Sequence, residues 1–390
     1  MIPAVLPTYA RADVTFERGE GPYLFAIDGK RYLDFASGVA VTALGHCHPH
    51  LVEALTRQAQ KVWHTSNLFQ VAGQKLVAQR LIDHSFADTV FFCNSGAEAV
   101  EAAIKVARKY QAETGHGEKY RVIACHGSFH GRTLATLAAA GNEKYLKGFG
   151  PPAPGFDHVA FGNLNEMRAA VTKETAAILV EPVQGEGGLA TAPEGYLRGL
   201  RAIADEFGLM LVYDEVQCGM GRTGRLFAHQ WEGVAPDVLA TAKALGGGFP
   251  VGACLATERA AVGMTAGTHG STFGGNPLAM AVANAVLDVM LAPGFFAGVE
   301  RIAGVLRERL DRVAARYPKI FAERRGEGLL TGLKCVVPNT EVVERLRGAG
   351  LLSVGAGENV VRLLPPLIID ERHVDEAAGI IEGVARQWTP

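Results

Sequence analysis

What this 390-residue chain has little of narrows its class first. Its six cysteines, Cys47, Cys93, Cys125, Cys218, Cys254 and Cys335, lie too far apart to form any CxxC pair. That argues against a zinc ribbon or a dithiol redox centre and fits a reduced, cytoplasmic chain. An excess of one charge is also missing: 38 basic residues against 40 acidic ones leave a formal charge of -2. No broad field is therefore expected to draw nucleic acid or an anionic membrane, and any anion must be met locally. No apolar run approaches the roughly 18 residues of a membrane span. The opening MIPAVLPTYARADVTF lacks the basic start of a signal peptide and is broken by proline. There is no GxSxG elbow and no GxxxxGK[ST] loop, so serine-hydrolase and nucleotidase readings lose their usual support.

What the chain does have in excess is glycine, 47 of 390 residues, where an ordinary soluble chain of this length has roughly 27. Glycine without repeat or low complexity implies many backbone positions that need unusual dihedrals or close approach. The length allows two or three domains, with apolar material for a large core. Through the middle, short β-rich runs alternate with helical patterns: TVFFC, YRVIAC, AAILVEPV, LMLVYDEV, VLATA and GACLAT. Near-continuous apolar strands of this kind are buried on both faces, so the fold class is α/β with a largely parallel sheet between helices. PEGYLRGLRAIADEFG reads as a helix beginning at Pro193 and stopping at Gly208. After about residue 290 a long helix (296–317), the strand-like LLTGLKCVV, a helix from Thr340, the strand VVRLL and a helix from Glu371 predict a smaller α+β domain. YLFAIDGKRYLDF reads as a hairpin around Asp28-Gly29. The expected division is residues 1–45 as a segment associated with the small domain, 46–290 as the large domain and 291–390 as the small one.

Three motifs carry chemistry. In CNSGAEAVEAAIKVARKY a strand ends, a tight turn follows and a helix begins; Ser95 and Glu98 make a capping box and Gly96 lets backbone approach a ligand. Free N–H groups at such a start suit a phosphate, although an ordinary capped helix looks the same. Asp214 sits near the C-terminal end of one apolar strand, LMLVYDEV, and Lys243 ends another apolar run. A carboxylate there needs a cationic partner, and a desolvated lysine becomes an amine nucleophile. Taken singly, each is more often a strand-end charge reaching solvent or a surface salt bridge. Together with the phosphate turn they define a pyridoxal phosphate (PLP) site, with lysine for the Schiff base and aspartate for the pyridinium nitrogen. In HGSFHGRT, Phe129 offers a flat face for stacking and Arg132 a fork for a carboxylate. Arg362, inside an apolar strand, must also find an anion. Two such forks are what an enzyme taking amino acids in turn needs.

Two rival signals are weaker. GMGRTG, Gly219 to Gly224, satisfies a dinucleotide fingerprint after a strand. The next segment, RLFAHQWEGVAP, is a poor helix, and no acidic residue stands where a ribose would need one, so a nicotinamide oxidoreductase is the distant other-class reading. GHCHPH suggests a metal, but His46, His48 and His50 alternate in direction and Pro49 turns the chain; no metal is expected.

NSGAEAVEAAIKVAR, HGSFHGRT, EPVQGEGG, LVYDEVQCGMGRTG, AKALGGGFPVGA and HGSTFGGNPLA, in this order, resemble the class III (ornithine-type) PLP-dependent aminotransferases over most of the chain. SGVAVTALGHCHP, HTSNLF and VRLLPPLII look most like the subfamily acting on acetylornithine in arginine biosynthesis. The resemblance implies the PLP-dependent transferase fold type I, a large domain with a mostly parallel seven-stranded sheet plus a smaller α+β domain. It implies that Lys243 holds PLP, that Asp214 keeps its ring nitrogen protonated, that Gln217 contacts the ring hydroxyl and that Phe129 stacks on the ring. Ser95, Gly96 and Ala97 hold the phosphate, joined by Thr272 from the neighbouring subunit of a homodimer. Arg132 binds the α-carboxylate of the donor, with Ser271 nearby, and Glu186 pairs with Arg362 until 2-oxoglutarate or glutamate claims that arginine. The implied activity is a ping-pong transamination of small-molecule substrates. Members acting on ornithine, succinyldiaminopimelate or 4-aminobutyrate are the alternatives.

Overall fold

A computed structural model describes residues 2–388. At its centre is a seven-stranded sheet whose strands, numbered β1 to β7 in chain order, are Thr89–Cys93, Arg121–Cys125, Phe156–Val159, Thr175–Val180, Met210–Asp214, Val238–Thr241 and Gly252–Ala256. They lie in the order β1-β7-β6-β5-β4-β2-β3. All neighbours run parallel except those of β7, which is antiparallel to both β6 and β1. Every residue of β4 to β7 is buried, because successive side chains enter different cores. Ile178, Val180, Leu211 and Tyr213 join one cluster, with Leu197 and Leu200 of the helix Tyr196–Phe207. Ala177, Leu179, Met210 and Val212 join the other, with Ala99, Ala103 and Val106 of the helix Gly96–Glu113. Burying one such large apolar side chain contributes about 1.5–3 kcal/mol.

The strands differ from expectation at their ends. AAILVEPV stops at Val180: Pro182 has no N–H for the ladder, and Val183–Gln184 pairs instead with Ala190–Thr191. The edge strand β3, with sequence FDHV, carried no apolar run and was not expected. The helix forecast from Pro193 begins at Tyr196, after Gly195 turns through φ 75°, and ends at Gly208 in the left-handed conformation as expected.

The N-terminal hairpin forms between Tyr23–Ala26 and Arg31–Asp34, with Phe16–Glu20 as a third strand. The fourth strand of that sheet is Leu351–Leu352, parallel to Arg31–Asp34 and more than three hundred residues later. A second four-stranded sheet, antiparallel, comprises Phe321–Glu327, Leu330–Cys335, Val360–Leu363 and Val354–Ala356. The helices Phe295–Arg316 and Glu371–Arg386 pack on each other beside it. No single helix among the described residues is long and apolar enough to cross a membrane.

Candidate active site

In an open α/β sheet, ligands collect at the carboxyl ends of the parallel strands. The chain places a cavity of about 400 Å³ there, lined among others by Ser95, Gly96, Ala97, Phe129, Arg132, Asp214, Gln217 and Lys243. Eight of the positions singled out in sequence thus converge on one space.

The floor is made by strand ends. Asp214 is the last residue of β5 and is buried; its Oδ1 accepts from the Val216 N–H at 3.0 Å, and its Oδ2 lies 2.8 Å from Nδ1 of His130. With a carboxylate opposite, Nδ1 is the protonated nitrogen of that imidazole. Lys243 follows β6 by two residues at φ 46°, a left-handed position that costs a non-glycine residue of order 1–3 kcal/mol and is typical of functional sites. Burial, and then the charge of Arg362, pull its ammonium below the usual lysine range, against the opposing pull of Glu186, Asp214 and Glu181. Its hold on the proton is weakened to that extent.

One wall is the start of the helix Gly96–Glu113. Ser95 caps it, its Oγ accepting from the Glu98 N–H at 3.2 Å, while Glu98 accepts from the Asn94 N–H at 2.7 Å. The first intrahelical bond runs from Ala99 N to Ser95 O, so the N–H groups of Gly96 and Ala97 precede the ladder. Gly96 is required: a Cβ there would sit 2.5 Å from Val216 Cγ1.

The other positions divide. Arg362 is 1% exposed; its Nη2 meets Glu186 Oε1 at 2.7 Å and its Nη1 donates to Gln217 Oε1 at 2.8 Å. Arg132 is exposed, its guanidinium 3.7 Å from the Tyr145 ring centroid and 5.3 Å from that of Phe129. Ser271 and Thr272 do not line this cavity. Ser271 Oγ accepts from Asn94 Nδ2 at 3.2 Å on the far side of the turn, and Thr272 is exposed. GMGRTG forms buried turns rather than a phosphate-binding helix start, with Arg222 donating to the Leu329 and Pro365 carbonyls. His46 and His50 go to separate acids, Asp34 and Asp288, each at 2.8 Å.

Two site residues were not found in sequence. His130 stands within HGSFHGRT, but its pairing with Asp214 joins positions 84 apart. Glu181 follows the buried strand β4 as Asp214 ends β5, the same strand-end signal that picked out the aspartate. It is buried, lines the cavity and accepts from the Phe129 N–H at 3.0 Å.

Comparison with known proteins adds the family. The class-III aminotransferase model matches residues 7–384. The chain belongs to the class-III aminotransferases. It is 59% identical to acetylornithine aminotransferase of Brucella melitensis over 375 residues, covering 96% of this chain and 93% of that one. Among solved structures, N-acetylornithine aminotransferase of Stenotrophomonas maltophilia matches with a TM-score of 0.85 and 37% identity, covering 96% of each chain. Ornithine aminotransferase of Toxoplasma gondii, crystallised with PLP at partial occupancy, matches with a TM-score of 0.93 and 33% identity, covering 98% of this chain and 92% of that one. The fold is that of the PLP-dependent fold type I enzymes, and the cofactor of the class is PLP. The cavity fits it: a partly buried amine, a strand-end carboxylate, and free N–H groups at a helix start that Gly96 lets pack against Val216.

Proposed function

We propose that this aminotransferase moves the δ-amino group of N2-acetyl-L-ornithine to 2-oxoglutarate, giving N-acetyl-L-glutamate 5-semialdehyde and L-glutamate in arginine biosynthesis. The observation that carries the reading is one cavity holding Lys243, Asp214 and Arg132, with Arg362 and Glu186 bridged to it through Gln217, on a chain 59% identical to the Brucella enzyme.

Lys243, Asp214, Gln217 and Phe129 would hold the ring end of PLP, and Ser95, Gly96 and Ala97 its phosphate. Bound there, PLP supplies an aldehyde that takes up the amino group and a ring that accepts electrons from the reacting carbon. Asp214, fixed by His130 and the Val216 N–H, keeps a negative charge where a protonated ring nitrogen needs one. Lys243 Nζ, its hold on a proton weakened by burial and by the charge of Arg362, would take up and release the proton of the reacting δ-carbon of acetylornithine. Arg132, exposed and without an ion pair among the described residues, receives the α-carboxylate of the donor. In the second half-reaction Glu186 swings off Arg362, and the freed guanidinium takes a carboxylate of 2-oxoglutarate.

Thr272 serves the neighbouring subunit in a homodimer. Support comes from its surroundings: Phe273 is 58%, Leu68 88% and Phe69 69% exposed, and Asn67 ties the two segments by donating to the Ser271 and Gly274 carbonyls. An apolar face of this kind suits a second copy of the chain.

The test is a donor panel. Acetylornithine should give the highest kcat/KM against ornithine, succinyldiaminopimelate and 4-aminobutyrate, with parallel double-reciprocal lines as 2-oxoglutarate is varied. Preference for another donor overturns the substrate assignment. Borohydride reduction should leave a cofactor mass on the peptide carrying Lys243, and its absence overturns the lysine's role.

A further inference from the structure

Val180 and Tyr213 are register partners in adjacent parallel strands, so Glu181 and Asp214 reach the same cavity from neighbouring strand ends. They are 4% and 3% exposed. Two buried carboxylates at neighbouring strand ends do not both ionise readily, and the one with better partners keeps the charge. Asp214 has two partners, the Val216 N–H and the His130 ring. Glu181 accepts from one backbone N–H, that of Phe129. The two acids therefore grip consecutive residues of one segment, Glu181 the Phe129 backbone and Asp214 the His130 side chain.

We propose that Glu181 is a positioning residue of this site, kept as a neutral carboxylic acid, which anchors the Phe129 backbone through Oε2 and leaves Asp214 as the anion of the pair. Its surroundings agree. Burial, then the charge of Asp214, push its carboxyl well above the ordinary range; Glu186 adds to the rise, while the Phe129 N–H and Lys243 oppose it. His130 faces Asp214 rather than Glu181, so its ring N–H serves the aspartate and not the glutamate. A neutral acid also places a hydroxyl donor inside a cavity otherwise supplied with donors by Lys243 and Arg132. The proposal deepens the PLP assignment of this cavity and does not depend on which amine is the donor.

Glutamine copies the neutral acid, with an acceptor for the Phe129 N–H and a donor in place of the hydroxyl, but it cannot copy the anion. In the full-length PLP-loaded protein, the infrared difference spectrum of wild type minus Glu181→Gln should contain a protonated-carboxyl C=O band at neutral pH. That band should fade as pH rises, because deprotonation removes it. Glu181→Ala, which strands the Phe129 N–H, should bind PLP roughly tenfold more weakly on dilution, and Glu181→Gln should recover most of that loss. The proposal is overturned if the difference spectrum shows only carboxylate bands, or if glutamine weakens PLP as much as alanine does. Should the alanine variant fail to fold, the infrared comparison decides alone. A donor panel that names another amine leaves these outcomes untouched.

Discussion

The two arginines proposed to bind substrate carboxylates sit under opposite conditions. Arg362 lies in the middle of a strand, buried, with Glu186 and Gln217 already on its guanidinium. Arg132 lies on the loop after Phe129, exposed, with the Tyr145 and Phe129 rings beside it. A buried cation must be compensated before any substrate arrives, so it is released only by exchanging one carboxylate for another. An exposed one is compensated by water and is available to the first carboxylate that comes. One enzyme that must accept a monocarboxylate donor and a dicarboxylate acceptor can thus keep one fork ready and one in reserve.

That contrast between a buried, prearranged end and an open rim can be broken by substitution. The largest effect is expected deepest. Lys243→Ala removes the amine that moves the proton and should lower kcat at least about 10⁴-fold; turnover within tenfold of wild type would refute its role. Asp214→Ala should lower kcat by about 10²–10³-fold, the scale of losing one preorganised charge, while leaving the helix-start contacts intact. A near-normal kcat would place the electronic control elsewhere. Arg362→Ala leaves Glu186 and Gln217 facing each other without a cation, so urea unfolding should show a loss of about 3 kcal/mol together with a raised KM for 2-oxoglutarate. Unchanged stability would mean that the buried fork is not prearranged. Arg132→Ala is the mildest: stability within about 0.5 kcal/mol of wild type, and a KM for acetylornithine raised roughly tenfold with kcat less affected. Should it destabilise the fold as much as Arg362→Ala, the distinction between rim and buried end fails.

The legible parts of this molecule were those in which local pattern and chemistry coincide. The six forecast strands are present, and the central ones read as apolar runs because both sheet faces are covered; Asp214 and Lys243 were conspicuous because charge is costly at such positions. Strand β3 was not visible, since Asp157 and His158 on an edge break the apolar signal that burial imposes. His130 and Glu181 were missed for a different reason. The histidine acquires meaning only from Asp214, a neighbour brought up by the sheet order, while Glu181 carried the strand-end signal of Asp214 but not the Phe129 N–H it accepts from. The shortened end of β4 belongs with them: Glu181 is where the chain stops being strand and becomes site.

The parallel pairing of Arg31–Asp34 with Leu351–Leu352 sets an order of events during synthesis. When the hairpin leaves the ribosome, the strand Arg31–Asp34 has an open edge, and the two residues that close it are not yet made. Contacts of such large sequence separation form late, and the waiting edge is a template for another chain. A nascent chain halted before residue 351 should therefore aggregate through its first 34 residues, while its central sheet already has every strand it needs.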